Sequence, residues 1–336
     1  MLELSDRPLV EVYDLVMVDL DGVVYIGNDA VPGAAEHLAR VRASGVHVAY
    51  LTNNASRSPA AVADKLTGLG VDAHASDVVT SAQAAARLLL QHHGVGARVA
   101  LLGGPGLQAA LCEAGLRPVP VDETAVALAT GFGPDVVWHE VMTAAVRIRD
   151  GLSWVASNTD RTLPTPNGSA PGHGALVRLL TDFSGVEPEV AGKPAPPLLE
   201  ETIRRVGGAQ PLMVGDRLDT DIEGARRVGV DSLLVLTGVT GLADLVAAGP
   251  GLRPTYVSSD LGGLFEATRA PAREHDRWTA GGWTARVDSG RLAVDGGGDR
   301  DDWWRAVTAA AWEHLDASGR AADTAGLVPP RAAPRR

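Results

Sequence analysis

Cysteine occurs once in 336 residues, at Cys112, so the chain can form no intrachain disulfide, and no Cys/His group has zinc spacing. That composition suits a reducing compartment, and a cytoplasmic location is expected. Basic charge is in deficit: 30 Lys and Arg face 41 Asp and Glu, a net charge of −11. A broad nucleic-acid footprint needs clustered cations, so nucleic acid is excluded as the expected partner and a small ligand is favoured. Long apolar runs are missing as well, and the start Met1-Leu2-Glu3-Leu4-Ser5-Asp6 carries no basic segment. Neither a membrane span nor a signal peptide is therefore expected, and no membrane partner. The oligomeric state is left open, homo-oligomers included.

What is present is a 45% hydrophobic chain long enough for two domains, or two and a tail. Short β-branched runs alternate with Ala/Leu-rich helical patterns, the signature of βαβ units in a doubly wound parallel α/β sheet. The candidate strands are Leu15–Asp19, Val46–Thr52, Val78–Ser81, Val99–Leu102, Ser153–Ser157, Pro211–Val214 and Asp231–Leu236. Helices are expected at Ala34–Ser44, Pro59–Leu69, Ala82–His93, Gly106–Ala114, Trp138–Asp150, Gly174–Gly185 and Ala195–Val206. Gly45, Gly70, Gly115, Gly151 and Gly207 follow helices as C′ glycines do and carry no functional weight. Cys112, on an Ala/Leu face, is expected in the core. Past residue 270 the composition turns to Gly, Asp and Arg with five of the seven tryptophans, which marks a further small unit.

Four segments bear on chemistry. Asp19 and Asp21 follow the apolar run Leu15–Val18, so two carboxylates leave a strand at the sheet edge where ligands of open α/β sheets bind. Such a pair repels unless a cation neutralises it or one member holds a proton, and either outcome serves nucleophilic and acid–base work. Ordinary turn chemistry competes, since Asp-x-Asp-Gly also suits a tight turn. The strand ending Leu51-Thr52-Asn53-Asn54 offers hydroxyl, amide and backbone donors to a phosphoryl group, against a plain helix cap by Asn or Ser56 ahead of Pro59. Lys193, in Gly192-Lys193-Pro194, could aim an ammonium at an anion or simply be a surface lysine. Finally Leu212-Met213-Val214-Gly215 delivers Asp216, Asp219 and Asp221, oxygen ligands of the kind Mg²⁺ takes; a calcium loop is excluded because the twelfth position from Asp216 is Arg227.

These four motifs, with Asp21-Gly22-Val23-Val24-Tyr25 and Ser157-Asn158-Thr159-Asp160-Arg161-Thr162-Leu163-Pro164, resemble the haloacid-dehalogenase superfamily of phosphatases, in its nitrophenylphosphatase-like branch, over about residues 10–265. The resemblance implies Mg²⁺-dependent hydrolysis of a small phosphorylated metabolite through an aspartyl-phosphate. It makes Asp19 the nucleophile and Asp21 the general acid/base that also lends Mg²⁺ its backbone carbonyl. It makes Asp216 the further metal carboxylate and Asp221 its outer support. Thr52, Asn53 and Asn54 would bind the phosphoryl group and Lys193 would balance charge. No motif departs from the family's pattern. The 141 residues from Thr52 to Lys193 exceed one crossover, so an inserted domain is expected between them; the resemblance implies that it is an α/β cap, over about 96–186, carried by a core of residues 10–95 and 187–265. In that cap Asn158, Asp160 and Arg161 either face the leaving group or stabilise a turn. Within the branch glycerol 3-phosphate is the favoured substrate, with phosphoglycolate, pyridoxal phosphate, sugar phosphates and nucleoside monophosphates as alternatives. A non-catalytic phosphometabolite-binding module is the reading from another class, and retention of both Asp19 and Asp21 argues against it.

Residues 272–325 are expected to form a hairpin, Trp283–Val287 with Leu292–Val294, and an aromatic helix, Trp303–Leu315. They are similar to an acetyltransferase fragment but lack the Arg/Gln-x-x-Gly-x-Gly/Ala string that acetyl-coenzyme A chemistry uses. The end, Pro329–Arg336, is expected to be disordered.

Overall fold

A computed structural model describes residues 1–165 and 168–330. The chain divides into two compact units, Met1–Val48 with Gly208–Arg336, and Ala49–Gly207, so the boundary falls inside the strand His47–Thr52. Among the described residues no helix is long and apolar enough to cross a membrane.

In the first unit parallel strands lie in the order Tyr256–Ser258, Asp231–Val235, Pro211–Gly215, Leu15–Asp19. Every residue of Leu15–Asp19 is buried, as expected of an inner parallel strand covered on both faces, where no polar alternation is tolerated. The register sets Leu15 opposite Pro211 and Val18 opposite Val214. Because the strands are parallel, the next residues on each, Asp19 and then Gly215-Asp216, leave the sheet at the same edge. That register is what the site depends on.

The C-terminal segment belongs to this unit. The expected hairpin is present and is extended to four antiparallel strands, Ala272–Glu274, Arg277–Ala280, Trp283–Asp288 and Arg291–Gly296, followed by the helix Arg300–Ser318. Ala280, Ala285 and Leu292 of that sheet, Trp303, Trp304 and Trp312 of the helix, and Leu234 and Val257 of the parallel sheet form one apolar cluster. Trp303 and Trp304 meet edge to face at 4.9 Å. Trp312 is wholly buried, donates its Nε1–H to the Leu245 carbonyl at 2.8 Å, and has the Arg253 guanidinium 4.9 Å from its ring. At the helix start the buried Asp301 carboxylate accepts from Ser258 Oγ (2.7 Å) and Ser259 N–H (2.8 Å). The expected disorder concerns residues 329–336, of which 331–336 lie outside the described residues.

In the second unit residues 50–52 pair in parallel with Val78–Thr80, and a five-stranded parallel sheet has the order Glu189–Val190, Trp154–Ala156, Ala127–Thr130, Arg98–Leu102, Arg117–Val119. Helices Trp138–Arg149 and His173–Ser184 pack Val141, Ala144, Ile148, Val177 and Leu180 on Leu102, Leu128 and Trp154 of that sheet. An antiparallel pair, Thr162–Thr165 with Gly168–Pro171, stands apart from it.

All seven expected strands and all seven expected helices are present, with ends moved by a residue or two. The strands Arg117–Val119, Ala127–Thr130, Glu189–Val190 and Tyr256–Ser258 were not expected, being two to four residues long and short of β-branched runs. The five C′ glycines all have positive φ, between 80° and 105°. Cys112 is a correction: it is exposed. Its helix, Pro105–Glu113, buries Gly106, Leu107, Ala110 and Leu111, and one further residue turns Cys112 about 100° out of that face.

Because Trp312 joins the C-terminal helix to the parallel sheet, Trp312→Ala is expected to cost about 3–5 kcal/mol of stability, read as a lowered urea midpoint with little change in slope.

Candidate active site

In the first unit, Asp19, Asp216 and Asp221 are all buried and each places one carboxylate oxygen within 4.8 Å of the others. Asp19 is the last residue of its strand and Asp216 follows the neighbouring one. Asp221 lies in a single π turn, Leu218–Ile222, a departure from α geometry that recurs at functional sites. The turn brings its carboxylate back to accept the Arg217 N–H at 3.1 Å. Three glycines make room for this approach. A Cβ on Gly22 or Gly238 would collide with the Asp216 carboxylate, and one on Gly215 with that of Asp221. Gly22 also has φ of 87°, which a side chain would strain. The loops are tied to each other: Thr237 Oγ1 donates to the Gly22 carbonyl at 2.6 Å, and the Val239 N–H donates to Asp216 Oδ2 at 2.6 Å.

Two acids of the same motifs stand outside this group. Asp219 is exposed and its carboxylate pairs with Arg217 at 2.8 Å. Asp21 is exposed as well, on the turn closed by the Gly22 N–H to the Tyr25 carbonyl at 2.8 Å. Asp221, expected only as outer support, has its carboxylate in the same group as Asp19 and Asp216. Three buried carboxylates this close repel one another, and a bound cation would offset that repulsion. All the donors are hard oxygens, and the set fits Mg²⁺.

The polar candidates gather in the second unit. Thr52 is buried at the end of its strand, with Oγ1 accepting the Asn54 N–H at 3.1 Å. Asn54 Oδ1 accepts from Ser56 N–H (2.8 Å) and Ser56 Oγ (2.7 Å), so it closes a local turn. The helix cap is Ser58, which accepts from the Ala61 N–H, and the capping alternative for Asn and Ser56 falls away. Lys193 is 2% exposed, which removes the surface-lysine alternative. Asn53 Oδ1 accepts the Lys193 N–H at 2.9 Å, while its Nδ2 donates to the Lys193 carbonyl and to Asp160 Oδ1, each at 3.0 Å. Asn158 Nδ2 donates to the Asn53 carbonyl at 2.7 Å, and Asn158 Oδ1 accepts the Asp160 N–H at 3.1 Å. Arg161 is exposed, and its carbonyl accepts the Gly172 N–H at 2.9 Å. Asn158 and Asp160 are thus both bonded to the residue next to Thr52.

His173 was missed from the sequence. It is 3% exposed and its Nδ1 lies 2.8 Å from the Asn158 carbonyl. Burial pushes the imidazole down to about 4, against the opposing pull of that carbonyl, so near neutral pH the ring is uncharged and Nδ1–H is the donor. The available signal was Pro171-Gly172-His173-Gly174. A Cβ on Gly172 would strike the Asp160 carbonyl and one on Gly174 the Thr159 carbonyl, so glycines flank the histidine for contact reasons.

The chain matches the model of haloacid dehalogenase-like hydrolases over residues 16–117 and a HAD-hydrolase-like model over residues 190–264. It is similar to the D-glycerol 3-phosphate phosphatase of Mycobacterium tuberculosis, 41% identical over 327 residues, covering 94% of this chain and 89% of that protein. It is also similar to an acid sugar phosphatase of Staphylococcus aureus, 35% identical over 251 residues, covering 74% of this chain and 95% of that one. Among solved structures, the glycerol phosphate phosphatase of M. tuberculosis in complex with magnesium gives a TM-score of 0.84 at 41% identity, covering 91% of this chain and 92% of its own. The 4-nitrophenylphosphatase of Thermotoga maritima gives 0.71 at 29% identity, covering 78% and 99%.

The buried imidazole carries a pH prediction. Its value in the folded chain lies below the ordinary 6.5, so the unfolded chain binds the extra proton between the two values. The stabilisation is therefore complete above pH 6.5 and is lost as pH falls toward 4, by on the order of 3 kcal/mol. Urea unfolding at pH 7 and pH 4.5 should show a smaller difference in His173→Asn than in the wild type; an equal difference would contradict the assignment.

Proposed function

The chain belongs to the haloacid dehalogenase-like hydrolases and is a phosphoric monoester hydrolase, and from that premise we propose that it hydrolyses a small cytoplasmic phosphomonoester, glycerol 3-phosphate, to glycerol and phosphate. The observation that carries the reading is the convergence of Asp19 and Asp216, at the exits of two adjacent parallel strands, with Asp221 of the π turn. The choice of substrate is supported by similarity to a phosphatase of that specificity along nearly the whole chain.

In the proposed reaction the Asp19 carboxylate attacks phosphorus and the P–O bond to the substrate breaks. Asp21 gives the departing alkoxide its proton. Asp21 then takes a proton from water as the water attacks the aspartyl-phosphate, releasing phosphate and restoring Asp19. Splitting the displacement in two lets one carboxylate pair serve both halves. Mg²⁺, held by Asp19, Asp216 and the Asp21 carbonyl with Asp221 beside them, would supply positive charge to the phosphoryl oxygens. Thr52 and the backbone around Asn53 and Asn54 bind the phosphoryl group, and Lys193 offsets its charge against the nucleophile. The inserted segment 96–186 acts as the cap, with Asn158, Asp160 and Arg161 on the leaving-group side.

The experiment is a phosphate-release screen of the purified protein with Mg²⁺ against glycerol 3-phosphate, phosphoglycolate, pyridoxal phosphate, sugar phosphates and nucleoside monophosphates. The highest kcat/KM on glycerol 3-phosphate supports the assignment; a clear preference for another ester replaces the substrate and leaves the chemistry standing.

Asp19→Asn removes the attacking oxygen anion and should lower kcat by on the order of 10³-fold or more while the melting temperature holds. Asp21→Asn should cost about 10²–10⁴-fold, the range for a lost acid–base group. Near-normal turnover in Asp19→Asn would end the covalent mechanism. Chelation should abolish activity and Mg²⁺ restore it, whereas Ca²⁺, which accepts looser coordination, should inhibit. Full turnover in excess chelator would sink the metal role.

A further inference from the structure

Asn53 stands beside the proposed phosphoryl-binding residue Thr52, yet its side chain is fully engaged elsewhere. The Lys193 N–H can only donate, so the amide oxygen must face it, at 2.9 Å. That orientation sends both Nδ2 protons to acceptors, the Lys193 carbonyl and Asp160 Oδ1, each at 3.0 Å. Reversing the amide would turn three hydrogen bonds into three repulsive contacts. The backbone carbonyl is held too, by Ser81 Oγ at 2.5 Å and Asn158 Nδ2 at 2.7 Å. Gly192 makes the approach feasible, because a Cβ there would lie 2.7 Å from Asn53 Oδ1. No amide proton is left to give to a phosphate.

We propose that the Asn53 side chain is a positioning group, gripping both polar groups of the Lys193 backbone and one oxygen of Asp160, rather than a ligand of the phosphoryl group. This rests on the catalytic part given to Lys193 above. Gripping N–H and C=O of one residue fixes where its side chain starts, and thus where the ammonium is presented. The second Nδ2 proton ties that placement to the Asn158–Asp160 turn. Lys193, which meets every substrate's phosphoryl group, and Asp160, on the leaving-group side, are coupled through one amide. A leaving group that draws on Asp160 alters the hold on Lys193, so its effect reaches turnover as well as binding.

Four variants and one structure test this. In Asn53→Ala, kcat for acetyl phosphate and for glycerol 3-phosphate should fall together, about 10- to 100-fold, while the inhibition constant of inorganic phosphate moves less than about threefold. Asn53→Asp sets a carboxylate against that of Asp160, so its kcat should be low at pH 8 and recover toward pH 5, where a shared proton restores a donor. Adding Asp160→Asn supplies the donor from the other side and should raise kcat at pH 8 at least about fivefold over Asn53→Asp alone. Wild-type kcat in Asn53→Ala, no rescue in the double variant, or phosphate affinity lost in step with kcat would each overturn the proposal. Should the variants fail to fold, the wild-type protein crystallised with Mg²⁺ and inorganic phosphate decides: Asn53 Nδ2 beyond about 4 Å from every phosphate oxygen supports the assignment, and a hydrogen bond of about 3 Å refutes it. Lys193→Ala separates the two levels. If it turns over normally, the role of Lys193 is wrong; if it is inactive while Asn53→Ala is normal, only the positioning role is wrong.

Discussion

Like charge held at close range is the constraint from which the first unit is built. Asp19, Asp216 and Asp221 come within 4.8 Å of one another in a buried setting, an arrangement that repulsion and desolvation both oppose. The backbone brings them together. The parallel register of Leu15–Asp19 against Pro211–Gly215 fixes two of them, and the π turn fixes the third. Gly22, Gly215 and Gly238 remove the side chains that would hold them apart. A site assembled against its own electrostatics is one that a divalent cation compensates, and this links the fold to the chemistry of the family.

The second unit solves a different problem, that of fixing a lysine in a buried place. Its answer is a hydrogen-bonded lattice in which Asn53 bonds to the Lys193 backbone and the Asp160 carboxylate, Asn158 to the Asn53 carbonyl and the Asp160 N–H, and His173 to the Asn158 carbonyl. An amide suits the centre of such a lattice because it donates and accepts from one planar group. The uncharged imidazole of His173 extends it without adding charge.

The C-terminal sheet and helix are bound into the same apolar cluster as Leu218 and Ile222, the two apolar residues of the π turn that carries Asp221. The tryptophans therefore stabilise the unit that holds the acids.

The sequence by itself determined the parallel α/β class, the helices and longer strands, and the acids, because apolar periodicity, C′ glycines and strand-exit carboxylates are local signals. It also marked Thr52 and Lys193, since a hydroxyl at a strand exit and a Lys-Pro step are visible without knowing their neighbours. Tertiary structure alone decided which acids converge: Asp219 and Asp221 are two residues apart, and only the π turn sends one inward and leaves the other on Arg217. It alone decided the work of Asn53, whose partners lie 107 and 140 residues away, and the burial of His173 beneath the Asn158 carbonyl. The strands Arg117–Val119, Ala127–Thr130, Glu189–Val190 and Tyr256–Ser258 and the exposure of Cys112 were likewise hidden. Their placement is set by what packs against them, and a linear pattern does not record that.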